Sequence, residues 1–301
     1  MKFGTNVYKF TQYGENLAGT VDFIKTAEDL GFNHVRFLDH VVGIIAERHG
    51  GIAQTPYTSQ SYIHEVFTLM AYLAGQTRRI RFMTGVLILP QRPTLLVAKQ
   101  AAEVDILSGG RLTLGVGVGY NKLEFRAMST NFGAHFKERG KLFEEQIEVL
   151  RTLWTKDDVT YKGRWHDIQD ACLAPLPVQR PIPLFFGFGR RIAPIPPDNV
   201  LRRVGRLADG CLPQWLPGEE ARIALGKIQA AAREAGRRPE DLVVEMSIYA
   251  DGKGKAELID EVKRTRDAGA HQIHVRWDSL KSIPENIEGI KRFREVMDAF
   301  Q

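Results

Sequence analysis

The chain has 301 residues, 44% hydrophobic and 26% charged, with a net charge of +5 and an isoelectric point near 9.1. These proportions exclude a disordered or fibrous chain, and no apolar run reaches the roughly 20 residues a membrane helix needs. The basic residues are dispersed, which argues against nucleic acid and leaves an anionic small molecule as the use for the positive charge. The start, Met1-Lys2-Phe3-Gly4-Thr5, lacks the basic and apolar regions of a secretory signal, so a cytoplasmic protein is expected. Cys172 and Cys211 form no CxxC pair and read as buried thiols.

In chain order, short apolar runs alternate with segments of helical period. Lys2 to Tyr8 reads as a strand. Leu17, Val21, Ile24 and Ala27 then keep helical spacing, with Gly31 as a left-handed cap. Strands are expected at His34 to Leu38 and Ile80 to Leu87, followed by a helix that starts near Pro93 and runs toward Ser108. Arg111 to Val118 is the fourth strand, and Phe143, Ile147, Leu150 and Trp154 mark the next helix. Between Asp157 and Pro183, Thr160 to Trp165 suggests a small hairpin before a proline-rich crossing. Further strands are Leu184 to Phe186, Asp209 to Leu212, Val243 to Tyr249 and Gln272 to Arg276. Helices separate or follow them at Asn199 to Ala208, Pro217 to Gly236, Lys255 to Gly269 and Pro284 to Phe300.

Eight such strands predict an α/β fold, a (β/α)8 TIM barrel spanning 1–301 as one domain, with insertion loops at its C-terminal face. The stretch Ala46 to Gln60 is one such loop, read as a substrate wall or lid, the alternative being disorder.

Four segments carry candidate chemistry. The second strand ends in Asp39-His40, an acid that could orient an imidazole for proton transfer at the active-site end of a barrel, or a structural turn. In the third, Thr84-Gly85-Val86 sets a glycine in an apolar strand, where a bulge is expected. The fourth carries Gly115, Gly117 and Gly119, alternate glycines that let a bulky ring or backbone come close. The fifth ends in Gly187-Phe188-Gly189-Arg190-Arg191, where backbone N–H groups and arginines suit a phosphate, or a solvated glycine turn. His271 and His274 fall on opposite faces of the last strand, so no metal site is expected.

Together these segments resemble the luciferase-like monooxygenase superfamily. The signature runs from Ala98-Lys99-Gln100-Ala101-Ala102-Glu103-Val104-Asp105 through Gly109-Gly110-Arg111 into Gly115-Val116-Gly117-Val118-Gly119. Ala27 to Phe32, Thr84-Gly85-Val86 and Arg206 to Gly210 support it. The resemblance implies a barrel that binds coenzyme F420 or FMN. Asp39-His40 is similar to the pair with which deazaflavin-dependent members hold the ring and move protons, which tilts the expectation to F420, with FMN the alternative.

By the same resemblance Asp39, Thr84, Gly85, Val86, Gly117 and Gly119 hold the ring, with Gly85-Val86 a bulge that is often a cis peptide. Gly187, Phe188, Gly189 and Arg190 would then take the phosphate. It further implies a homodimer and a separate flavin or F420 reductase as partner. Related sugar-phosphate dehydrogenases place a glutamate directly after the strand glycines, where this chain has Tyr120-Asn121, so glucose-6-phosphate dehydrogenase activity is not expected. An F420-dependent hydride-transfer enzyme is the leading reading. An FMN-dependent monooxygenase and a non-catalytic flavin-binding barrel are the alternatives. The loops Gly43 to Gln60 and Trp277 to Pro284 carry no motif that names a substrate.

Overall fold

The computed structural model describes residues 1–7, 15–49, 57–128, 136–190 and 192–300. Among them are β1 (Lys2–Val7), β2 (His34–Phe37), β3 (Arg81–Thr84), β4 (Leu87–Ile88), β5 (Leu112–Gly117), β6 (Val159–Lys162), β7 (Asp167–Ala171), β8 (Leu184–Phe188), β9 (Gly210–Pro213), β10 (Val243–Tyr249) and β11 (Gln272–Arg276). The hydrogen-bonded order β3-β2-β1-β11-β10-β9-β8-β5 returns to β3, so eight parallel strands close a barrel. β4 continues β3 along β5, from Leu87 opposite Val116 to Ile88 opposite Gly117. β6 and β7 form the expected hairpin, an antiparallel pair outside the barrel, with longer arms than the sequence suggested.

The helices α1 (Leu17–Asp29), α2 (Val66–Ala74), α3 (Thr94–Ser108), α4 (Lys122–Met128), α5 (Arg139–Thr155), α6 (Asp198–Leu207), α7 (Glu219–Glu234), α8 (Lys255–Asp267) and α9 (Ile283–Met297) surround it. Caps fix their ends. Asn16 Oδ1 accepts from the Gly19 N–H at 2.8 Å to start α1, and Gly109, at φ 69°, stops α3. Ser282 and Glu285 form a reciprocal capping box at the start of α9. Ile24, Val35, Phe82, Ala101, Leu114, Ile147, Val262 and Ile273 belong to the fully buried layer between strands and helices.

α2 and α4 are absent from the sequence reading. Val66 to Ala74 is apolar almost all round and shows no helical contrast, and α4 is only seven residues long. Cys172, expected to be buried, is exposed, because it follows the outlying hairpin; Cys211, on β9, is buried. Tyr8, Arg191 and much of the loop at 46–60 lie outside the described residues. No helix among the described residues is long and apolar enough to cross a membrane.

Strand alternation sends the other set of side chains into the lumen. One side of it is apolar, with Met83, Phe185 and Leu212 packed together and joined by Val86 and Val243. The other side is polar, with buried Asn6, His34, Arg36, Glu245 and His274.

Candidate active site at the barrel mouth

Three residues beyond β2, His40 lies where barrel strands open to solvent, its side chain 11% exposed. Its Nδ1 is 3.0 and 3.2 Å from the two carboxylate oxygens of Glu124, which is itself 1% exposed. Glu124 gets there through a cap. Asn121 Oδ1 accepts from the N–H groups of Leu123 at 3.0 Å and Glu124 at 3.3 Å, starting α4 so that Glu124 is its third residue. The contact with Glu124 uses Nδ1, which leaves Nε2 for chemistry. The Tyr57 ring stacks on the imidazole with centroids 4.0 Å apart. Tyr57 is held by the pairing of Ile44 with Thr58 and by the Ser59 N–H donated to the Ile44 carbonyl at 3.1 Å. The described end of the 46–60 loop thus forms a wall of the site.

Asp39 does a different job from orienting His40. Its Oδ1 accepts from Arg92 Nη2 at 2.6 Å, and its Oδ2 from Arg92 Nε at 3.3 Å and the Ile88 N–H at 3.1 Å. Both oxygens are therefore occupied in tying the end of β2 to β4 and to the turn before α3. Burial alone would lower the Arg92 pKa; the charges of Asp39 and Glu65 outweigh it and raise it. Glu124 and Arg92, which bond His40 and Asp39, are among the site residues that sequence reasoning missed. The pattern Asn121-x-x-Glu124, a helix cap with an acid at its third position, was the available signal for the first.

Between β3 and β4 the Gly85–Val86 peptide is cis and forms a shelf. The Gly85 N–H donates to the Phe37 carbonyl at 2.7 Å, and Thr84 Oγ1 donates to the Gly115 carbonyl at 2.6 Å. The strand glycines exist to seat this shelf. A Cβ on Gly115 would lie 2.0 Å from the Thr84 carbonyl oxygen, and one on Gly117 would lie 2.8 Å from Val86 Cγ2. One on Gly187 would meet Val86 Cγ1 at 2.4 Å, and one on Gly119 would meet Ile88 Cγ2 at 2.6 Å. The backbone expected to approach β5 is thus the chain's own, and Val86 fills the slot between Gly117 and Gly187.

The segment after β8 closes on itself. Gly189 has φ 80°, and a Cβ there would lie 2.3 Å from the Pro194 carbonyl oxygen. The Arg190 N–H donates to Ala193 at 2.9 Å, and the Ala193 N–H returns the bond at 2.8 Å. The Arg190 amide is therefore spent within the chain rather than presented to a phosphate, and its exposed guanidinium is what the turn offers an anion. Phe188 is buried, edge-on to Trp215 at 5.3 Å.

Two buried donors in this region have no hydrogen-bond partner among the described residues. They are Gln91 Nε2, beside Gly119, and Trp215 Nε1, beside Phe188. Buried donors are rarely left unpaired, so both mark places where a bound molecule would be favoured. No group of three His, Cys, Asp or Glu among the described residues is placed to hold a metal.

Comparison with known proteins agrees with this geometry. The family profile described as luciferase-like monooxygenase matches residues 1–277. An uncharacterized protein of Mycobacterium tuberculosis is 32% identical over 265 residues, covering 85% of this chain and 83% of its own. An F420-dependent glucose-6-phosphate dehydrogenase of Amycolatopsis mediterranei is 30% identical over 74% of this chain and 60% of its own length. An FMNH2-dependent dimethylsulfone monooxygenase of Pseudomonas putida is 31% identical over 60% of this chain and 50% of its own. Among solved structures, the coenzyme F420 dependent tetrahydromethanopterin reductase of Methanopyrus kandleri shares the fold, with a TM-score of 0.73 at 19% identity over 100% of this chain and 99% of its own. Relatives of both cofactor types surround the sequence, and with residues 1–277 matched, the chain belongs to the luciferase-like monooxygenase family.

Proposed function

We propose that this protein is an oxidoreductase that uses coenzyme F420 to exchange a hydride with a small organic substrate at the barrel mouth. The observation that carries the reading is the His40–Glu124 pair at the barrel mouth, next to Asp39, whose Oδ2 accepts from the Ile88 N–H two residues past the Gly85–Val86 shelf. The bound deazaflavin would supply a two-electron hydride donor or acceptor. Gly85, Val86, Thr84, Gly117 and Gly119 would shape the surface that receives its ring, and Gln91 Nε2 and Trp215 Nε1 would donate to it or to the substrate. Asp39 would hold the wall through Arg92. Gly187, Phe188 and Gly189 shape the phosphate end, where the Arg190 guanidinium supplies the charge.

When a substrate C–H gives up its hydride, the neighbouring O–H or N–H proton passes to His40 Nε2, while Glu124 stabilises the resulting imidazolium. The reverse direction returns that proton. Such proton transfers contribute about 10²–10⁴-fold in rate, so His40→Ala is expected to lower turnover about a hundredfold while coenzyme affinity stays within about threefold. Unchanged turnover would remove His40 from the chemistry.

The Pseudomonas putida relative supports a second reading, a monooxygenase that takes reduced FMN from a separate reductase. Titration of the purified protein with F420 and separately with FMN, followed by tryptophan fluorescence, distinguishes them. Micromolar binding of F420 with much weaker FMN binding supports the first; the reverse preference with substrate-dependent oxygen uptake supports the second. Tight binding without turnover in a broad screen would leave a flavin-binding barrel.

A homodimer is part of the proposal. Tyr72, Leu95 and Leu96 stand exposed on the adjacent helices α2 and α3. Replacing Leu96 with Glu is expected to shift light-scattering mass from dimer to monomer, and a wild-type protein of monomer mass would overturn the assignment.

A further inference from the structure

We infer that the buried Arg36–Glu245–His34 cluster is a positioning device that fixes the Gly85–Val86 shelf from inside the lumen, and through it the affinity for the redox ring. The link from shelf to ring rests on the function proposed above.

The cluster is built to span the lumen. His34 and Arg36 project from β2, Glu245 from β10, and β1 and β11 lie between those strands. The Glu245 carboxylate is paired with the Arg36 guanidinium and, at 2.8 Å, with His34 Nε2. Gly4 on β1 opens the path. A Cβ there would lie 2.1 Å from His34 Nε2. All three side chains are buried, and the acid is fully so. Burial would raise the Glu245 pKa, but the charges of Arg36 and His34 outweigh it and hold the carboxylate ionised.

The stem of Arg36 runs directly beneath the shelf. Its Cδ, Cβ and Cγ lie 3.1, 3.3 and 3.5 Å from the position a Cβ would take on Gly85. With its guanidinium paired with Glu245, the stem fills the space directly under Gly85 that a Cβ would need. Stability alone is a weak reason for such a cluster, because replacing a buried ion pair by apolar side chains of similar volume is often neutral or stabilising. A fixed stem under a backbone shelf is a positional gain that apolar packing would not give.

Two variants separate position from stability. Glu245→Gln leaves the buried Arg36 charge without a counter-ion and is expected to lower both the melting temperature and F420 affinity, the latter about tenfold. The pair Arg36→Met/Glu245→Leu is expected to regain the melting temperature while affinity stays about tenfold weak. His34→Gln, which keeps the ion pair and removes one anchor, is the milder variant if Glu245→Gln fails to fold, with about threefold weaker binding expected. Hydrogen exchange of the ligand-free protein over residues 83–91 gives a readout without coenzyme. There the Gly85 and Ile88 N–H groups, bonded to the Phe37 carbonyl and Asp39, should exchange about tenfold faster in the double variant. A double variant with wild-type melting temperature, exchange and affinity would overturn the inference. Faster exchange in a protein whose wild type binds neither coenzyme would support the shelf-positioning role and reject the coenzyme reading.

Discussion

The two sides of the barrel lumen solve the same problem in opposite ways. On the side of β1, β2, β10 and β11, Asn6, His34, Arg36, Glu245 and His274 fill the space with charge and hydrogen-bonding groups. On the side of β3, β5, β8 and β9, Met83, Phe185, Leu212 and Val86 fill it by shape, in slots that Gly115, Gly117 and Gly187 leave open. The polar side is held by partners that must all be present, since an unpaired buried charge is costly. The apolar side is held by fit, and its tolerance depends on whether the neighbouring atom can move. The shelf rests on both, with Arg36 beneath Gly85 and glycines around Val86.

Breaking the polar side should have the largest effect on stability. Arg36→Met removes the main partner of a fully buried carboxylate and is expected to cost about 3–5 kcal/mol in urea unfolding. A loss below about 1 kcal/mol would mean that the lumen tolerates an unpaired Glu245. On the apolar side, Gly115→Ala drives a methyl into the Thr84 carbonyl, backbone that cannot swing away, and is expected to cost about 3 kcal/mol. Gly187→Ala meets the stiff, β-branched Val86 side chain rather than backbone, so a smaller loss of about 2 kcal/mol is expected. Equal losses at the two positions would show that the shelf moves as a rigid unit.

Within the lumen, acid should act on the polar side. Burial and the charges of Arg36, Arg276 and His34 push His274 well below its ordinary 6.5, so the unfolded chain binds that proton first and stability falls as pH drops below about 6.5. Glu245 is held at about 2, well below its unfolded value of roughly 4.3, so its contribution is complete above that value and is lost as pH falls toward 2. The acid limb of a stability profile should therefore have an upper part that His274→Gln flattens and a lower part that Glu245→Gln flattens. Each slope is limited to about 1.4 kcal/mol per pH unit for one proton. A profile flat from pH 7 to 3 would contradict both assignments.

Much of the barrel was legible because alternating strand and helix periods are local, and the Gly31 cap and the Asp39-His40 pair just beyond β2 are local too. The glycine strand was visible as well, but its purpose was not. Only folding shows that Val86, 31 residues from Gly117 in the chain, occupies the gap. The partners of Asp39 and His40 were misread for the same reason. Neighbours in sequence suggested a pair, whereas hydrogen bonding joins Asp39 to Arg92, 53 residues away, and His40 to Glu124, 84 residues away. The loop at Arg190 read as a phosphate site or a solvated glycine turn because glycines free the backbone, and sequence alone did not choose between them. Pro194 and Ala193, which take up that freedom, lie on its far side.

The most direct test of the central claim, that His40 and Glu124 form the proton-handling unit of the mouth, is turnover by Glu124→Gln under the cofactor conditions that support the wild type. About a tenfold or greater fall in kcat, with cofactor Kd within about twofold, is expected of a side chain that stabilises the imidazolium without holding the ring. Wild-type kcat in that variant would contradict the assignment.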